Sequence, residues 1–294
     1  MGLGRGSARL VMAEGKALGF GGSIVTLGHQ YCSFSEAQLR GWASLDGVEI
    51  PGRDESGDPL ALIAPARLLS LLGFSSVRVL DHSAYEGADI LHDLNQPIPD
   101  ELKGCFGVVL NGGTLEHIFH VPNVLANLHH LTRTGGRIIH IAPSSNQIDH
   151  GMYSFSPTFF YDYYSANKYL IRKAYLFECL DWDTPWTVYD YKPGSLDGFQ
   201  GRIGGGRVLG TFFVAQKTAE STCDVIPQQG YYQSAWVAKT HPAGQPFLEG
   251  RLRTLLRQRV PGLWTAVREA RRKLSLQASA TRHGGPMPPR IGTF

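Results

Sequence analysis

Among the acidic residues and histidines between residues 81 and 150, six stand where strand ends and loops could use them for polar chemistry: Asp81, Asp93, Glu116, His117, His120 and His150. A carboxylate is a two-oxygen acceptor, so it matches the two donors of a ribose diol, and Asp81 stands where an apolar run ends. Asp93 and Asn95 follow a second such run and could read an adenine edge. There a carboxylate would accept from the exocyclic amino group and a backbone amide would donate to a ring nitrogen. An imidazole titrates close to neutrality and can take a proton from a hydroxyl. Of the three histidines, His150 is the preferred base and His117 the second. Glu116 could orient either an imidazole or a substrate hydroxyl. Asp149 is a weaker partner for His150, because adjacent side chains often point apart.

These residues need a scaffold that brings them to one edge. Apolar runs at 24–27, 77–80, 88–92, 108–110 and 137–141 read as strands, and each of the first four ends in glycine, an acidic residue or Asn111. Helical spacing at 65–73 and 121–134 falls between them. That alternation predicts an open α/β sheet, in which ligands bind at the carboxyl ends of the strands. Residues 169–180, 186–191 and 207–216 are rich in strand formers and predict an antiparallel hairpin at the end of the sheet. The aromatic stretch from Tyr153 to Tyr169 reads equally as an acceptor-binding surface and as a helix packed on the sheet, with Tyr153 and Tyr161 nearest any acceptor.

Asp81, the step Asp93-Leu94-Asn95, the run Gly112-Gly113-Thr114-Leu115-Glu116-His117 and the segment from Asp149 to Pro157 resemble class I S-adenosylmethionine-dependent methyltransferases. The closest resemblance is to the subgroup found in bacterial surface-polysaccharide and secondary-metabolite gene clusters. Ile226-Pro227-Gln228-Gln229-Gly230-Tyr231-Tyr232 resembles the same subgroup, so the likeness spans residues 20–235. It implies a Rossmann-like, seven-stranded, mostly parallel sheet with helices on both faces and an antiparallel terminal hairpin. It further implies S-adenosyl-L-methionine as cofactor, held by Gly28, Asp81, Asp93, Leu94, Asn111, Gly112 and Gly113. The expected reaction is methylation of a hydroxyl on a sugar or natural-product intermediate, with His150 or His117 as base and Glu116, Tyr153 and Tyr161 near the acceptor.

One departure stands out. The family carries an acidic residue and a glycine-rich loop, near Asp/Glu-x-Gly-x-Gly, after its first strand, whereas this chain has Thr26-Leu27-Gly28-His29-Gln30. The methionine end of the cofactor would then be held differently, through Gly28, His29 or Gln30.

Composition bounds the rest. The chain has 294 residues, a net charge of +3 and four dispersed cysteines without a Cys-x-x-Cys pair, which argues against a disulfide framework or a zinc site. Scattered Asp and His leave a substrate-bridging magnesium open, but no dedicated metal-ligand cluster is apparent. Glu14 and Lys16 interrupt the only N-terminal apolar stretch, and no run approaches the roughly 18 to 20 residues of a membrane helix. A cytoplasmic protein is expected, without membrane association.

From Gly244 onward ten Lys or Arg face two Glu, a net of +8. Without a nucleic-acid motif this reads first as a solvated helix surface over 247–276, followed by a disordered end from His283. The expected organisation is an extension at 1–20, a methyltransferase-like domain at 21–240 and a basic helical tail at 241–294. The expected partner is a small-molecule or glycan acceptor, not nucleic acid, and a homodimer is left open. Two rival readings remain: a methyltransferase-like fold that only binds or assembles or has been repurposed for another reaction, and a nicotinamide-dependent oxidoreductase. The second lacks Gly-x-Gly-x-x-Gly after the first strand.

Overall fold

The computed structural model describes residues 2–54, 57–196, 206–230, 232 and 290–294. It divides into a unit that runs to Gln228 and includes Arg290–Phe294, and a second unit, Gln229–Pro289, nearly all of which lies outside the described residues. The helix expected over 247–276 lies there too.

In the first unit the elements follow the order α1 (Arg5–Leu18), β1 (Ser23–Leu27), α2 (Glu36–Asp46), α3 (Pro65–Leu71), β2 (Ser76–Asp81), β3 (Ile90–Leu91), β4 (Phe106–Gly112), α4 (Val121–Leu131), β5 (Thr132–Ser145), α5 (Pro157–Ala166), β6 (Leu170–Cys179), β7 (Thr187–Asp190), β8 (Val208–Gln216) and β9 (Arg290–Thr293). They build one nine-stranded sheet in the order β3-β2-β1-β4-β5-β8-β6-β7-β9. Strands β1 to β5 pair in parallel, and β8, β6, β7 and β9 add on through antiparallel pairings. The open α/β sheet is therefore as expected. Among the described residues the sheet has nine strands where seven with one closing hairpin were expected, and four of them form the antiparallel side.

Alternation along the strands sorts the core onto two faces, because successive side chains of a strand point oppositely. Ile24, Val108, Leu110, Ile139, Phe212 and Val214 pack with Leu10, Met12, Leu39, Leu68 and Leu69 of the first three helices. Val25, Leu27, Val109, Ile138 and Phe213 pack with Val124, Leu125, Leu128, Phe160 and Tyr164 of α4 and α5.

Residues 1–20 were expected to form an extension. Instead Leu3, Ala8, Leu10, Val11 and Met12 are core residues. Local signals start and stop the next helix: Ser35 and Gln38 form a reciprocal capping box, and Gly47 closes it at φ 63. Helix α4 ends at Leu131, and Thr132 already belongs to β5. The chain end also differs from expectation, since 290–293 pairs with β7.

Candidate functional site

Strand register alone brings the first site residues together. Leu27 of β1 lies opposite Leu80 of β2 on one side and Asn111 of β4 on the other. The next residues along, Gly28, Asp81 and Gly112, therefore share the carboxyl edge where β1 separates the two directions of winding. Crevices of α/β sheets open at such a point. Here a cleft of about 340 Å³ is lined by Gly28, Leu80, Asp81, His82, His92, Asp93, Leu94, Asn95, Thr114, His117 and Ile118.

Gly28 forms the floor of this cleft. Its N–H donates to Leu80 O at 2.8 Å, and its φ of 70° is a left-handed conformation that favours glycine. A Cβ there would stand 3.1 Å from Thr114 Oγ1 and 3.6 Å from Asp81 Oδ2. Thr114 Oγ1 in turn donates to Leu27 O at 2.6 Å, tying the β4 loop to the end of β1. Asp81 Oδ1 accepts from the Ser83 N–H at 3.1 Å, which orients the carboxylate.

The opposite wall is an Asx turn. Asp93 Oδ1 accepts from both the backbone N–H and the side-chain amide of Asn95, each at 2.9 Å. Those bonds, the backbone one first, hold the Asp93 carboxyl below its usual range. Asn123 and Asn127 of α4 both donate to Leu94 O, at 2.9 and 3.1 Å, and fasten this turn from below. Neither asparagine was singled out in the sequence, where they read only as polar positions on an amphipathic helix.

Asn111 has a positioning role. It is fully buried, its Oδ1 accepts from the Thr114 and Leu115 N–H groups at 3.1 and 2.9 Å, and its Nδ2 meets His140 Nδ1 at 3.2 Å. It shapes the β4 loop from behind, and neither it nor Gly112 nor Gly113 lines the cleft. Gly112 backs onto Gln30, whose Oε1 would lie 2.2 Å from a Cβ at that position. Gln30 is buried and donates to Leu27 O at 3.0 Å, so a folded carboxamide stands where a second loop glycine was expected. His29 turns aside, edge-on to Tyr31 with ring centroids 4.8 Å apart.

Beside the cleft three functional candidates converge. Glu116 and His117 lie in a 3-10 turn, Leu115–His117, just after β4. Glu116 O accepts from the Met152 and Tyr153 N–H groups at 2.9 and 3.2 Å, and Gly151 lies flat against Glu116. This seats the 150–153 loop on the turn. His150 Nε2 comes within 3.6 Å of Glu116 Oε1, and the His117 and His150 rings meet edge-on at 5.1 Å.

The Glu116 side chain is fully buried. Both of its oxygens and His150 Nε2 lack a hydrogen-bond partner. Burial pushes the Glu116 carboxyl up to about 7 and moves both imidazoles below their ordinary value. Glu116, expected near an acceptor, thus lies inside the wall and does not line the cleft, whereas His117 does.

The remaining candidates are dispersed. His120 caps α4, its N–H donating to Asn95 Oδ1 at 3.0 Å, and it is not part of the cluster. Tyr153 donates to Phe119 O at 2.9 Å and lines a second, apolar cavity of about 640 Å³ between α4, the 153–159 segment and residues 223–227. Tyr161 does not line it and packs edge-on against Tyr191. Most of the aromatic stretch is core: Phe155, Phe160, Tyr163, Tyr164 and Tyr169 are all buried.

No family model matches the chain, and no curated protein does. Among solved structures it is similar to the 1,6-didemethyltoxoflavin-N1-methyltransferase of Burkholderia thailandensis with bound 1,6-didemethyltoxoflavin and S-adenosylhomocysteine. That alignment has 14% identity and a TM-score of 0.38, covering 72% of this chain and 76% of the other. It is also similar to a structure described for the conversion of a disulfide bond into a thioacetal group during echinomycin biosynthesis, at 12% identity and a TM-score of 0.39, with 81% and 90% of the two chains covered. TehB of Haemophilus influenzae aligns at 17% identity and a TM-score of 0.35, over 71% of this chain and 61% of its own. These scores are low, and the site is read from its own geometry.

Proposed function

We propose that this chain transfers a methyl group from S-adenosyl-L-methionine to a hydroxyl of a sugar or natural-product intermediate. The observation that carries the reading is the convergence, by strand register and loop hydrogen bonds, of Gly28, Asp81 and the Asp93-Leu94-Asn95 turn on one cleft. Gly28 fits a backbone cradle, since any Cβ would close the space toward Thr114 and Asp81. Asp81 suits a ribose diol. Asp93, with both Asn95 bonds on Oδ1, retains its second oxygen for an adenine amino group.

When bound, the cofactor supplies a methyl group on a positively charged sulfur, which leaves as a neutral thioether. The protein then has to align a nucleophile and keep water away. His150 and His117 adjoin the cleft with imidazoles biased toward the neutral, proton-accepting form. Either could take the proton of an acceptor hydroxyl as the oxygen attacks the methyl carbon. Glu116, held beneath them, sets their position.

The reading is tested by calorimetry with S-adenosylhomocysteine. Absence of binding to the purified protein removes the proposal. With binding in hand, acceptor screening by mass spectrometry looks for a gain of one CH2.

One observation favours a second reading, a fold that binds without transferring. The folded Gln30 carboxamide packs beside Gly112, at the sequence position where the resembled family carries its second loop glycine. Cofactor binding without turnover on any acceptor, together with a protein partner that copurifies, would favour it.

A further inference from the structure

Glu116, His117 and His150 each offer one donor atom, and the three atoms lie within 4.8 Å of one another. Facing atoms of two members of the cluster are left without a hydrogen bond. One is the Glu116 carboxylate, which is fully buried and accepts no hydrogen bond from any other residue. An ionised carboxylate buried without a partner is strongly disfavoured, and a single proton would still leave acceptor capacity unused. The other is His150 Nε2, an inaccessible atom of a partly exposed side chain, which lies 3.6 Å from Glu116 Oε1.

We propose that these three side chains bind a divalent transition-metal ion of the Zn2+, Fe2+ or Mn2+ class. Two imidazoles and one carboxylate are a nitrogen-rich set that suits such ions better than magnesium or calcium, which take oxygen. Metal to ligand distances of 2.0 to 2.2 Å place neighbouring donors about 3.4 Å apart in a tetrahedral site. The Glu116 to His150 separation is already close to that. The backbone is braced to hold the set, because the Met152 and Tyr153 N–H groups grip Glu116 O while Gly151 allows the close approach.

Three protein donors leave coordination positions open, and His117 also lines the nucleoside-sized cleft. An ion there would polarise an acceptor hydroxyl. That role rests on the methyl-transfer reading, whereas binding of the ion does not. With the ion bound, neither His117 nor His150 is the proton acceptor, since both lone pairs would be on the metal.

The test uses the untagged 294-residue chain stripped with a chelator. Zn2+ is titrated by calorimetry, and Co2+ is followed through its visible absorption, both without S-adenosylmethionine. One saturable site per chain is expected, with the intense bands of low-coordinate cobalt. Glu116→Gln and His150→Ala should each weaken binding by more than the roughly 10- to 100-fold that outer-shell partners cost. His130→Ala, at a half-buried histidine of α4 outside the cluster, should leave it unchanged.

Glu116→Gln keeps the side-chain shape, and its circular dichroism confirms folding. It should still bind S-adenosylhomocysteine, so loss of the metal and loss of the cofactor are separately visible. No saturable Zn2+ or Co2+ binding, or binding that persists unchanged in both variants, overturns the proposal.

Discussion

Glu14 and Arg137, 123 residues apart, meet at 3.0 Å between Glu14 Oε1 and the guanidinium, joining α1 to the start of the buried part of β5. Lys173 of β6 reaches the other oxygen at 3.0 Å, and the Arg137 guanidinium also lies 4.7 Å over the Phe20 ring. The carboxylate is fully buried, so removing it strands two cations. Glu14→Ala should lower stability by about 3–5 kcal/mol, which is large against a total of about 5–15 kcal/mol. Urea unfolding measures it, and a loss below about 1 kcal/mol would show that the network is not structural.

Gly28→Ala probes the floor of the cleft. A left-handed φ costs a side-chain-bearing residue about 1–2 kcal/mol, and the new methyl group would crowd Thr114 Oγ1. Binding of S-adenosylhomocysteine should weaken by about tenfold or more, since 1.4 kcal/mol is a factor of ten. Calorimetry on the folded variant decides it, and unchanged affinity would place the ligand elsewhere.

Asp81→Ala removes the proposed ribose acceptor. A hydrogen bond to a charged group is worth about 1.5–3 kcal/mol, so affinity for the nucleoside should fall by about 10- to 100-fold. Asp81 is partly exposed, and the melting temperature should hardly move. A large drop in melting temperature with intact binding would reverse the assignment.

His140 predicts a pH dependence of stability. It is fully buried between Asn111 and the Tyr164 hydroxyl, 2.6 Å from its Nε2, and burial lowers its pKa to about 3. The unfolded chain, near 6.5, binds the proton first as pH falls. The stabilisation is thus complete above about pH 6.5 and is lost progressively toward pH 3, at up to about 1.4 kcal/mol per pH unit. His129, lowered to about 4 mainly by burial, acts in the same direction. His140→Gln should flatten the acid limb in urea unfolding measured from pH 7 to pH 4, and a limb of unchanged slope would assign it to other groups.

The cleft was legible in the sequence because its members sit at strand ends. Gly28, Asp81 and Asp93 each interrupt an apolar run, and parallel pairing converts that interruption into a shared edge. The members of the Glu116, His117 and His150 cluster were legible one by one, but not as three donors on one point. His150 reaches Glu116 only through backbone bonds at Met152 and Tyr153, which leave no mark on residue type. Asn111 misled for a related reason: a polar residue at a strand end reads as a ligand contact, yet its hydrogen bonds are all turned inward. Helix α1 was hidden by its charges, since Arg9 and Glu14 are buried with partners, Asp46 and Arg137, that lie far away in sequence.

The pairing of β9 with β7 bears on the order of events during synthesis. Strand β7 is complete at Asp190, but its outer neighbour begins at Arg290, and the Trp186 to Phe294 backbone bonds that extend the pairing come later still. Roughly a hundred residues emerge from the ribosome in between, some 5 to 20 seconds at ordinary elongation rates. Until then the outer edge of β7 lacks the partner that β9 supplies, and an unpaired strand edge is a template for a neighbouring chain. Arg290–Thr293 is thus the clasp that ends the exposure.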